Sequence, residues 1–305
     1  MNSITQAKSS AVDNRRAYLF LIVTTWCWGC NAIFGKMAVG EISPMLLVSL
    51  RWLGVVLLLF VFARKQFVRD WPVLRQHLRF LALMGIAGFT AFNALFYISA
   101  HHTSAINIGI LQGSIPIFVI VGSYLLFRIR ITWLQTLGIG VTLFGVVTVV
   151  SAGDLSQLLE LSINRGDFLM LLACALYAGY SIGLIRRPPV SALALLTLLA
   201  VAALAGSLPL LVIETVYQGF TLPGATGWVI VILVTLLPSF LAQIFFIQGV
   251  ALIGPGRAGV FVNLVPVFAS LMAVLFLGES FELYHGISLA LVLGGIGLSE
   301  FGKAR

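Results

Sequence analysis

The hydrophobic residues of this chain fall in long unbroken blocks, and most polar residues fall between them. No block alternates apolar with polar, as a half-buried strand or a membrane β-barrel would require. An apolar run of about 20 residues is long enough to cross a bilayer as a helix, which satisfies every backbone N–H and C=O within the segment. Breaks at charges, Pro and Gly divide the chain into ten such runs: roughly Ala17–Val39, Pro44–Ala63, Phe80–Ser99, Ile106–Phe127, Thr132–Val150, Asp167–Ile185, Val190–Ile213, Trp228–Val250, Arg257–Leu277 and Tyr284–Phe301. The pattern therefore predicts an all-α integral membrane protein with ten transmembrane helices. The connections are short. Only the stretches after Ala63 and Val150 leave room for a turn or two of interfacial helix.

Composition narrows the picture further. Of 305 residues, 60% are hydrophobic and 9% charged, with a mean hydropathy of +1.08. A soluble chain carries about 25% charged residues. The net charge of +8 is spread over the flanks of apolar runs and forms no single patch, so nucleic acid is not an expected partner. Cys27, Cys30 and Cys174 lie inside apolar blocks, which argues against a disulfide framework, a metal site or a cofactor. No G-x-x-x-x-G-K-[ST] is present, so this chain by itself is not expected to run on ATP. The first 16 residues are mostly polar and precede an apolar run without an A-x-A cleavage site, so the N-terminus reads as an uncleaved signal anchor.

Charge sets the expected orientation. With the N-terminus inside, Lys8, Arg15, Arg16, the cluster Arg64/Lys65/Arg69/Arg75/Arg79, Arg128, Arg130, Arg186, Arg187, Arg257, Lys303 and Arg305 all fall on the cytoplasmic side, leaving only Lys36, Arg51 and Arg165 of the 18 basic residues elsewhere. The positive-inside rule thus favours N-in and C-in. A shift of 150 residues also aligns the chain with itself. Gly109, Pro116, Phe118, Leu125, Leu143 and Gly145 fall on Gly259, Pro266, Phe268, Leu275, Leu293 and Gly295, and Asn93 falls on Gln243. Two units result, 17–150 and 167–301. Five helices per unit is an odd number, so the second unit enters from the opposite side: an inverted repeat, typical of secondary transporters with a site between the halves.

Several motifs occur in a recognisable order. They are W-G-x-N-x-x-F from Trp28 to Phe34, Pro44 followed by Arg51, T-S-A at 103–105 before Pro116-Ile117-Phe118, and N-L-V-P-V-F at 263–268 before L-G-E at 277–279. Together they resemble the EamA family of the drug/metabolite transporter superfamily, over nearly the whole chain. The resemblance implies a ten-helix carrier in the bacterial cytoplasmic (inner) membrane, usually an exporter of amino acids or other small metabolites. One departure is Arg128-Ile129-Arg130, which stands where the second half carries Gly278-Glu279.

No nucleophile–base arrangement is visible, so an enzyme is not expected and the chemistry must be binding and gating. Polar side chains within spans normally face the protein interior or a wet cavity. Trp28 and Asn31, Asn93 and Tyr97, and Tyr177 and Tyr180 each share a helix face, while Gln112, Gln243 and Asn263 lie deep in their helices. These nine are the expected substrate-binding residues, although amides also glue helices together. Arg51, the one basic residue inside a helix, is expected either to meet a substrate carboxylate or gate partner, or to snorkel outward. Arg257 and Glu279 are further gating or charge-pairing candidates, with a topology anchor and a solvated loop as the plainer readings. Pro116, Pro238 and Pro266 are candidate hinges, each able to kink a helix. His101 and His102, outside the spans, read as solvated.

The expected function is secondary export of a small metabolite by alternating access, with a multidrug exporter of lipophilic cations as the alternative. Cation sites generally want an intramembrane carboxylate, and Asp167 and Glu300 stand only at the ends of predicted spans. For the same reason a facilitative or exchange mechanism is expected rather than proton coupling. The expected partners are a small-molecule substrate and the lipid bilayer, and a monomer is compatible with both.

Overall fold

The computed structural model describes residues 2–128, 131–154, 164–219, 222–253 and 261–302. Everything described is helix, turn or loop. The helices are α1 (Asn2–Met37), α2 (Pro44–Phe62), α3 (Arg64–Ala100), α4 (Ala105–Phe127), α5 (Trp133–Val150), α6 (Arg165–Arg186), α7 (Ala192–Gln218), α8 (Ala225–Val250), α9 (Val265–Leu277) and α10 (Leu283–Phe301). Among the described residues, α1 to α8 are long and apolar enough to cross a membrane, and α9 and α10 are shorter apolar helices.

The ends are set by local chemistry. Ser43 is extended and Pro44 opens α2. Ser104 caps α4 by accepting from Asn107 N at 3.0 Å. Thr132 and Gln135 cap α5 reciprocally, at 3.3 and 3.0 Å. Two elements exceed expectation. The stretch after Ala63 is a helix of three turns, Arg64–Leu74, charged on one side and apolar on the other, rather than a turn or two. Helix α7 runs past Ile213 to Gln218, which draws Glu214 into the bundle.

The 150-residue offset reappears in the backbone. Helix α3 widens into a π-turn at Ile86–Ala91, and α8 does so at Thr235–Leu241. Helix α4 breaks at Gly113–Ser114, where Ser114 N donates to Leu111 O at 2.9 Å; just before α9, Leu264 N donates to Phe261 O at the same distance. Pro116 and Pro266 therefore stand in the first turn of restarted helices, where a missing N–H costs nothing, and not within helix interiors as expected of hinges. Pro238 lies inside its π-turn. Both α4 and α9 end on a left-handed residue, Arg128 (φ 56°) and Gly278 (φ 65°).

Antiparallel pairs build the bundle. Helix α2 lies on α7, joined by Ser49 and Ser207 hydroxyls at 3.0 Å. Helix α1 lies on α8, where Phe20 stacks on Phe245 at 4.8 Å and Thr24 donates to Ala242 O. Helices α5 and α10 meet along small residues; a Cβ at Gly145 would lie 2.9 Å from Leu291 Cβ and 3.0 Å from Ser288 O. Large apolar side chains such as Phe60, Leu83, Leu126, Phe144, Val216 and Phe276 cover the outside of the bundle. Such a surface suits lipid, not water.

Candidate functional site

Two polar assemblies interrupt this apolar interior. The first is centred on Arg51, two helical turns into α2 and so about 10 Å below its start. Its side chain is only 5% exposed. Nη1 donates to Asn31 Oδ1 at 2.9 Å and to Tyr97 OH at 2.7 Å, and the Tyr97 hydroxyl also reaches Asn31 Oδ1, at 3.4 Å. These partners come from α1 and α3, so one guanidinium ties three helices together. None of them is a carboxylate. Among the described residues the one ion pair is Arg69–Asp70, on the surface, and Arg51 Nε has no partner at all. A cation at depth in a bilayer costs about 2.5–3.5 kcal/mol on insertion scales, and neutral acceptors offset only part of that.

Aromatic rings run out from this group and return to it. The guanidinium carbon stands 5.6 Å from the Trp52 ring and 6.0 Å from that of Tyr97. Trp52 stacks on Phe89 at 4.7 Å; Phe89 touches Tyr180, Tyr180 touches Tyr177, and Tyr177 touches Phe92. Phe92 meets Phe96, and Phe96 packs edge-on against Tyr97 at 5.4 Å. This closed circuit of rings links α2, α3 and α6.

The second assembly is a cavity of about 640 Å³ at one end of the bundle, where the α3–α4 and α9–α10 connections meet the end of α5 and the start of α6. Asp167, the third residue of α6, is 1% exposed. It accepts from Thr103 Oγ1 at 2.5 Å and from Asn107 Nδ2 at 3.3 and 3.4 Å, and, among the described residues, from no cation. Lys36 Nζ closes the end of α3 through Ala100 O and Thr103 O, at 3.0 and 2.9 Å. His285, 4% exposed, accepts from Glu282 N on Nδ1 at 2.9 Å, and its Nε2 has no partner among the described residues. Burial lowers the pKa of His101 at the rim, helped by the neighbouring His102 and Lys36 and opposed by Glu214.

Carboxylates also hold helix starts across the bundle, satisfying N–H groups that a helix leaves open and meeting the positive end of its dipole. Glu214 of α7 accepts from Met45 N at 3.0 Å and Leu46 N at 3.3 Å, at the start of α2. Asp70, just beyond α2, accepts from Ser191 N at 2.7 Å, at the start of α7. Glu279 accepts from Ala105 N at 2.8 Å and Ile106 N at 3.0 Å, at the start of α4.

The residues expected to bind substrate are thus dispersed among several environments. Asn31 and Tyr97 join Arg51, and Tyr177 and Tyr180 belong to the ring circuit. Trp28 Nε1 donates to Pro238 O at 3.2 Å, bonding α1 to the π-turn of α8. Asn93 and Gln112 donate within their own helices, to Phe89 O and Ile108 O, and the Asn93 Oδ1 stays unpartnered. Gln243 and Asn263 are half-buried and bond no described residue. Glu279 is the single predicted site residue that lines the cavity. Arg257 lies outside the described residues. Arg51 points inward to side chains and does not snorkel to backbone carbonyls. Sequence reasoning set Asp167, Lys36, Glu214 and His285 aside as residues at span ends or membrane surfaces. Each stands at the edge of an apolar block, where a charged residue reads as a boundary.

Helices with an apolar exterior, enclosing buried charge, define a polytopic membrane protein. The chain belongs to the EamA-like transporter family, whose pattern matches it twice, over residues 15–151 and 164–300. It is 27% identical to the uncharacterized transporter YetK of Bacillus subtilis (strain 168), over 95% of this chain and 88% of that protein. To the uncharacterized transporter YyaM of the same organism it is 24% identical, over 92% of each. An uncharacterized transporter of Archaeoglobus fulgidus is 25% identical, over 94% of this chain and 98% of that protein. A solved crystal structure shares the fold at a TM-score of 0.63 and 16% identity, covering 95% of this chain and 99% of the other.

Proposed function

We propose that this transporter exports small carboxylate-bearing metabolites, amino acids foremost, by alternating access across the bacterial inner membrane. In this reading α9 and α10 also cross, giving ten spans with both termini inside and the cavity facing out. The units 17–150 and 167–301 are the inverted halves that rock against each other. The paired π-turns and helix breaks support this, because discontinuous helices at matching positions of two halves are where carriers bend and bind.

The observation that carries the substrate class is Arg51. It is a cation, buried without a counter-ion among the described residues and held forward by Asn31 and Tyr97. Such a group attracts a carboxylate and repels a lipophilic cation. Proteoliposomes loaded with a mixture of labelled amino acids should release at least one of them faster than empty-vesicle controls. Release of none would remove the amino-acid class. One observation favours the second reading: Asp167 is buried and has no cation partner among the described residues. If lipophilic cations are the substrates, an overexpressing strain will gain resistance to cationic dyes relative to its isogenic control.

A further inference from the structure

The cavity between Lys36, Asp167 and His285 lies apart from the Arg51 group, and its free atoms are of two opposite kinds. Among the described residues, the acceptor side has the Asp167 carboxylate, which no cation neutralises, and the buried Asn107 Oδ1, which has no partner. On the donor side is His285. Its Nδ1 accepts from Glu282 N, so the neutral ring carries its proton on Nε2, which is buried and unpartnered among the described residues; the residue itself lines the cavity. Lys36 adds a donor, since two of its three N–H groups are spent on Ala100 O and Thr103 O. Buried polar atoms without partners are costly, and each calls for a ligand or a solvent explanation. At about 640 Å³ the space is of small-ligand size. Glu279 is already committed to the start of α4 and is not free to serve.

We infer that this cavity is a separate binding site for a zwitterion, Asp167 and Asn107 taking the ammonium while His285 and Lys36 take the carboxylate. The inference rests on the amino-acid reading above and assigns the site through which such a substrate passes on the cavity side. It also gives that reading a selectivity rule: both charges of the substrate are read, not the carboxylate alone.

The purified full chain in detergent can be titrated by thermal shift with the common amino acids and two derivatives of each. One derivative is the decarboxylated amine and the other the N-acetyl acid. At least one amino acid should raise the melting temperature saturably, and neither of its derivatives should do so at the same concentration. Asp167→Asn, which keeps the shape that Thr103 and Asn107 contact, should weaken the apparent affinity at least about tenfold, the scale of one charged hydrogen bond. His285→Gln, which keeps an N–H, should bind better than His285→Phe; this pair carries the test if the Asp167 variant does not fold. Equal stabilisation by the amine or the N-acetyl acid would overturn the assignment. So would binding indifferent to both substitutions, or no shift with any probe while proteoliposomes release amino acids. Binding without release would instead leave the cavity assignment standing and remove the transport reading.

Discussion

At the scale of single residues, Arg51 separates stability from function. A buried charge can often be replaced by an apolar side chain of similar volume at no loss, or with a gain, because desolvation of the ion is removed. Once the guanidinium is gone, the Tyr97 hydroxyl still has Asn31 Oδ1 within reach at 3.4 Å. Arg51→Met is therefore expected to melt at the wild-type temperature or above it, while release of the transported metabolite falls at least about tenfold. A melting temperature well below wild type would make Arg51 a structural tie instead. Tyr97→Phe should behave in the opposite way. It keeps the charge and removes one of its two acceptors, and should lower stability by about 1.5–3 kcal/mol, the range for hydrogen bonds to charged groups, read from thermal melts in one detergent.

At the scale of elements, the helix ends are where packing and sequence disagree most. Helices α2 and α7 each begin against a carboxylate from another helix: Glu214 of α7 holds Met45 N and Leu46 N, and Asp70 of α3 holds Ser191 N. Glu214→Ala should cost about 1–3 kcal/mol by leaving buried donors unpaired, and Glu214→Gln less, because an amide oxygen still accepts. Backbone conformation gives a second test. A non-glycine residue in the left-handed region costs about 1–2 kcal/mol relative to glycine. Arg128→Gly should then stabilise the fold and Gly278→Ala should destabilise it, by similar amounts. Both variants can be melted side by side.

These same ends show what could be read from the chain. The apolar blocks gave the helices, since in lipid a long apolar run has hardly another way to satisfy its backbone. The offset repeat foretold matching positions, and the π-turns at Ile86–Ala91 and Thr235–Leu241 occupy them. The meeting of Asn31, Arg51 and Tyr97 was half legible: the three were singled out one by one as polar groups at depth, but nothing in the spacing says that three helices converge there. The cavity was not legible. Asp167, Lys36 and His285 sit at block edges, where charge is the rule, and only the docking of α6 against the end of α3, and of α10 against α4 and α5, buries Asp167 and His285 beside a half-buried Lys36.

At the scale of the whole molecule, the open question of physical consequence is which way the cavity faces. The basic cluster Arg64, Lys65, Arg69, Arg75 and Arg79 lies on and beside the amphipathic helix Arg64–Leu74, whose exposed Val68 and Trp71 suit the interface of a membrane. Asp70 in that helix bonds Ser191, so the α2–α3 and α6–α7 connections share one end of the bundle. The cavity, with Ser280 and Glu282 at its rim, occupies an end formed by other connections. If positive charge stays inside, the cavity must open outward. The native cysteines help here, because Cys27, Cys30 and Cys174 are all buried and should react slowly. Ser280→Cys and Gln76→Cys each place a thiol at an exposed position, at the cavity rim and beside the basic helix respectively. In intact cells a membrane-impermeant maleimide should label Ser280→Cys, whereas Gln76→Cys should react only after lysis. The reverse pattern would turn the molecule over, making the cavity an entry site for cytoplasmic substrate and not an exit.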